Sequence, residues 1–162
     1  MRRLPVLVLG AVTFAVVVQQ VATTAADELS TMPVGDVVAS LGSDDYMTRV
    51  AATKRLARAG TESIEAVKAA AAHADPEVAW RVRMILVDIG ITGDEATHKR
   101  IVQTLEGLAT DGNASFENLG PQVTRWRQIR SLPPEQQIHH LNAFISGGGV
   151  VDPVFVGRLR GC

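Results

Sequence analysis

The stretch "LGSDDYMTRVAATKRLARAG" (41–60) has an echo in "ADPEVAWRVRMILVDIG" (74–90), with the same acidic opening, amphipathic middle and closing glycine. Aligned without a gap on Asp45 and Asp75, an offset of 30 residues places Ala52 opposite Val82, Leu56 opposite Leu86 and Gly60 opposite Gly90. In the second copy Val78, Val82, Ile85, Leu86 and Ile89 recur at helical spacing and mark one apolar face. The first copy carries a thinner version in Ala52, Leu56 and Ala59. Asp75-Pro76-Glu77 is a helix start: Asp accepts from free N–H groups, Pro suits the first turn and Glu favours the positive dipole end. Asp44-Asp45 stands in the same place, so helix capping accounts for the pair better than acid–base chemistry. Gly60 and Gly90 are predicted to end their helices in the left-handed conformation.

Between the copies, "TESIEAVKAAAAH" (61–73) predicts a second helix with Ile64, Val67 and Ala71 in phase. Each unit then reads as a pair of short helices, neither able to bury its stripe alone, and stacking of the pairs makes the core. "PVGDVVASLGS" (33–43) predicts an opening cap helix. "TGDEATHKRIVQTLEGLA" (92–109) starts with Thr92 and Glu95 at capping-box spacing and continues with a stripe of His98, Ile101, Leu105 and Leu108. A long loop is expected over 110–120, then helices over 121–130 and 133–146, a glycine hinge at 147–149 and a tail ending at Cys162. The fold class expected is all-α: a short α-α superhelix of helix pairs with extra C-terminal helices.

The two quoted stretches resemble the short HEAT-like repeats of the phycobilisome-lyase type and relatives in exported bacterial proteins. The resemblance covers residues 34–109. It departs from the family pattern at Ala79, where an arginine usually follows the Asp-Pro-Glu-Val opening. What it implies is an armadillo-type superhelix, with a lyase-like or pigment-handling activity as one functional alternative.

The N-terminus reads as an address. "MRR" precedes the uncharged run "LPVLVLGAVTFAVVVQQVATTAA" (4–26), and small residues stand before Asp27, the architecture of a secretory signal. An uncleaved anchor is the alternative. The apolar centre from Leu4 to Val18 is shorter than the roughly 20 residues that usually span a bilayer. The chain is therefore organised as 1–26 signal peptide or anchor, 27–146 helical domain and 147–162 hinge and tail. A periplasmic or secreted location follows, with membrane contact only through the first segment if it is retained.

Composition narrows the function classes. Aromatics are 4% of the chain and alanine clusters as in "AVKAAAA" (66–72), which favours close-packed helices over an aromatic-rich sandwich. A net charge of −1 supplies no global basic field for nucleic acid. One cysteine excludes an intrachain disulfide and any CxxC metal or haem motif. His139 and His140 are neighbours on a helix, about 100° apart, and complete no three-ligand metal set. GxSxG, HExxH and phosphate-loop motifs are missing. No cofactor is implied. Asn113-Ala114-Ser115 fits a glycosylation sequon, with chance the preferred reading.

The basic residues Arg49, Lys54, Arg55, Arg58, Arg81 and Arg83 follow acidic helix starts, a polarity that complements the dipole and predicts solvated faces rather than an anion-binding surface. Trp80 and Trp126 are expected to be core anchors. With repeat evidence present and no catalytic constellation legible, the sequence points to an exported scaffold that binds another protein without catalysis. A regulatory or anchoring role in an envelope assembly is a further alternative. Tyr46, Arg49 and Arg83, which flank the predicted buried stripes, are the candidate partner-binding residues.

Overall fold

The computed structural model describes residues 28–146. The readings for the N-terminal segment, the glycine hinge, the tail and Cys162 lie outside these residues. The described part is all-α, with no strand. After a helical turn at 28–31, the helices are α1 (Val34–Ala39), α2 (Tyr46–Ala59), α3 (Ile64–Ala69), α4 (Pro76–Thr92), α5 (Glu95–Thr110), α6 (Leu119–Arg130) and α7 (Pro134–Ser146). None of them is long and apolar enough to cross a membrane.

Aspartate side chains start the three longest helices. Asp45 accepts from the Thr48 N–H at 2.8 Å, Asp75 from the Glu77 N–H at 2.8 Å and Asp94 from the Thr97 N–H at 2.7 Å. Each satisfies a donor that has no partner within its own helix. For α5 this corrects the sequence reading. Thr92 is the last residue of α4, its hydroxyl donating to the Asp88 carbonyl, and Asp94 is the cap. Gly60 ends α2 with φ of +57°, a conformation that favours glycine. The buried Ser63 hydroxyl reaches the Leu56 and Gly60 carbonyls at 2.8 and 2.9 Å, accounting for acceptors left open at that helix end.

Gly90 does not end a helix. It lies buried inside α4, where a Cβ would stand 2.7 Å from Ile101 Cγ2 and 2.8 Å from Val123 Cγ1. Glycine here permits close approach of α5 and α6 rather than a turn. The buried His98 fixes the same junction: its Nδ1–H donates to the Gly90 carbonyl at 2.9 Å, and Nε2 lies 3.4 Å from the Thr124 hydroxyl on α6.

α4 packs against α2, α3, α5 and α6, and this explains why its burial exceeds one stripe. Val78, Val82, Ile85, Leu86 and Ile89 are buried as the spacing predicts, and Val87 and Ile91 are buried as well. Ala52 and Leu56 from α2, Ile64 and Val67 from α3, and Ile101 and Leu105 from α5 complete the centre of the core. Each of the buried Val, Leu and Ile side chains contributes about 1.5–3 kcal/mol. The segment after α5 is shorter and better anchored than the loop expected for it. Phe116 is buried in a single 3-10 turn (Ala114–Phe116), and Asn113 Nδ2 donates to the Ala71 carbonyl at 3.1 Å.

Candidate functional site

α2 and α4 lie side by side and run the same way. Arg49 and Glu77 join their first turns, while Arg58, Gly60, Thr92 and Gly93 line a shared cavity at their last turns. The seam between them opens as a groove of about 470 Å³. Val50, Ala57, Met84 and Ile85 give it an apolar floor; Tyr46 stands over it from α2 and Trp80 from α4. Both aromatics are accessible, Tyr46 at 60% and Trp80 at 39% of full exposure. Trp80 thus departs from the core role expected of it, whereas Trp126 is buried as predicted. The reason is register: Trp80 sits one turn from Glu77 and Met84 on the groove side of α4, away from Val78, Val82 and Leu86.

A charged clasp holds the two walls at a fixed separation. Glu77 Oε1 accepts from Arg49 Nε at 2.9 Å and from Arg81 Nη2 and Nε at 2.7 and 3.1 Å. Arg81 Nη1 donates to the Thr53 hydroxyl at 3.2 Å, and that hydroxyl donates to the Arg49 carbonyl at 2.8 Å. Arg49 Nη1 reaches back to the Ser43 and Asp44 carbonyls at 2.7 and 3.0 Å. One arginine therefore ties together the turn before α2, α2 itself and α4. Arg81 is 5% exposed, which corrects the reading of this whole basic set as solvated. Its stem packs into the core edge while its head satisfies Glu77 and Thr53, the usual condition for burying a guanidinium.

The hydrogen bonds from Arg81, and next those from Arg49, hold the Glu77 carboxyl below its ordinary range. Glu77 is therefore a carboxylate at neutral pH, an acceptor and counter-ion rather than a proton donor. The guanidinium carbons of Arg49 and Arg81 lie 5.7 Å from the Tyr46 ring and 6.0 Å from the Trp80 ring, so each arginine also backs an aromatic wall.

Of the three candidate residues from the sequence, the structure brings together Tyr46 and Arg49. Arg83 is half-buried and does not line the groove; it falls on another side of α4. Sequence reasoning missed Glu77, Trp80 and Met84 as groove residues. Their spacing of three and four along α4 put them on one face, but that face became visible as a surface only once α2 was placed beside it. His139 and His140 on α7 meet edge to face with ring centroids 5.9 Å apart. Among the described residues no group of three or more His, Cys, Asp or Glu side chains converges as metal ligands would. Comparison of the chain with protein-family models, with curated proteins and with solved structures gives no match.

Proposed function

We propose that this chain is an exported helical-repeat scaffold that binds another protein through the α2–α4 groove and carries out no catalysis. The observation that carries the reading is the exposed pair Tyr46 and Trp80 above an apolar floor, on walls clamped by Glu77. Large aromatics held rigidly in the open provide contact area without a large ordering cost on binding, the common property of interface hot spots. Matched positions support the repeat reading: Asp45 and Asp75 both cap, and Ala52, Val82, Leu56 and Leu86 are all buried. On this reading α2 with α3 and α4 with α5 are successive units of a short superhelix. Export rests on the sequence of residues 1–26.

The test is affinity capture from an extract of the source cell envelope, using the wild-type chain and the Tyr46→Ala/Trp80→Ala variant. A protein retained by the wild type and lost from the variant, at unchanged helical content, supports the reading. Equal capture by both removes the groove from the function. Both positions are accessible, so the substitutions leave the core intact.

A further inference from the structure

Resting on the groove as a protein-binding site, we propose that its occupant is a short, uncharged, proline-rich segment of the partner in the extended polyproline conformation. Charge sets the first limit on the occupant. Lys54 and Arg81 line the groove against Glu77 and Asp88, so the charged lining is balanced and selects neither an acidic nor a basic ligand. What sets the groove apart is its pair of accessible aromatics, Tyr46 and Trp80, above an apolar floor.

Hydrogen bonding sets the second limit. Among the described residues neither the Tyr46 hydroxyl nor the Trp80 indole N–H has a hydrogen-bond partner; the rings are contacted by the guanidinium groups of Arg49 and Arg81. The indole nitrogen can only donate, so a fitting occupant must bring acceptors. An α-helix spends its backbone carbonyls on itself, apart from those of its last turn. Strand addition needs a sheet edge, and the described residues contain no strand. A polyproline segment has no internal hydrogen bonds and leaves its carbonyls open. Proline also lacks an N–H, so it asks for no acceptor in return. Its ring offers an apolar face to Tyr46 and Trp80, the way aromatic-lined grooves hold such segments. The segment is stiff before it binds, which lowers the ordering cost.

Length agrees with this occupant. The part of α2 that lines the groove, from Tyr46 to Ala57, is about 16 Å long at 1.5 Å per residue. At a rise of about 3.1 Å, about five residues of polyproline lie along it, enough for a Pro-x-x-Pro core. The clasp engages Oε1 of Glu77, and Oε2 has no partner among the described residues. That oxygen accepts the N–H of a non-proline residue within the core.

The experiment is selection from a displayed library of random peptides about ten residues long against the full chain, followed by titration of the enriched peptides. Enriched peptides should carry prolines three residues apart and share no net charge. Their binding should weaken about tenfold or more on Trp80→Ala. Trp80→Phe keeps a ring and removes the N–H, and should weaken it about fivefold. Lys54→Glu or added salt should change it by less than about twofold. Circular dichroism of each variant establishes that its fold is retained. Three results would overturn the proposal: no enrichment, enrichment without proline, or proline-rich binders indifferent to Trp80→Phe. Helical or charged binders that depend on Trp80 would remove the polyproline occupant and leave the groove as an interaction site. Envelope capture that ignores Tyr46→Ala/Trp80→Ala would remove the groove itself, and the occupant with it.

Discussion

Replacing Gly90 by alanine tests the packing of α4 against two helices at once. In an exposed helix interior this substitution stabilises by about 0.8–1.0 kcal/mol, because glycine carries the larger backbone entropy cost. At Gly90 the new methyl would meet Ile101 Cγ2 at 2.7 Å and Val123 Cγ1 at 2.8 Å. Those atoms belong to β-branched side chains, stiff at χ1, on α5 and α6, so neither can swing aside cheaply. Overpacking of this kind costs about 1–3 kcal/mol. Separating the helices would also strain the 2.9 Å bond from His98 to the Gly90 carbonyl. Set against the propensity gain, the balance is a destabilisation of up to about 2 kcal/mol, or a fall in Tm of up to about 8 °C for a chain of this length. Gly107 on α5 is the internal control: nothing lies within 4 Å of a Cβ built there, so Gly107→Ala should stabilise by up to about 1 kcal/mol. Urea unfolding of both variants, followed by circular dichroism, reads the two signs. A Gly90→Ala chain stabilised as much as Gly107→Ala would refute the close approach of α4, α5 and α6.

Three further outcomes follow from the same structure. Leu86→Ala removes a fully buried side chain and should cost about 2–5 kcal/mol in denaturant unfolding; a loss below about 0.5 kcal/mol would reject the register of α4. Acid should weaken the fold through Asp45, Glu77 and Asp94. The Thr48 hydroxyl, the Arg81 guanidinium and the Thr97 N–H, respectively, are the main causes holding these carboxyls below their ordinary range. Each contributes stability that is complete above its unfolded value, near about 4, and that disappears as pH falls through the lower folded value. Tm measured downward from about pH 5 should therefore drop, and Glu77→Gln should make the drop smaller; an identical profile in that variant would dismiss the clasp as its source. Mass spectrometry of the exported chain should find a new N-terminus near Asp27, whereas an intact Met1 in the membrane fraction would establish the anchor.

The helices and the starts of α2 and α4 were legible in the amino-acid order because they depend on local chemistry. Asp45 and Asp75 cap through N–H groups two or three residues away, and the stripes of α4 and α5 follow from the 3.6-residue period. The same locality explains the reading of Gly90 as a helix end, since a glycine that stops a helix and one that admits a neighbour look alike in one dimension. Residue type alone puts Trp80 in the core, and the charge polarity of its helix puts Arg81 in solvent. Both assignments turned on which side of α4 received α2 and which received α5 and α6. Tyr46 and Arg49 could be picked out as flanking residues, but their joining to Glu77 and Arg81 spans contacts 28 residues apart or depends on them. Sequence alone determined an all-α chain with caps at Asp45 and Asp75 and periodic apolar stripes, because those features are settled within a few residues. Tertiary structure alone decided the groove and its clasp, because a surface between helices exists only after both have been packed.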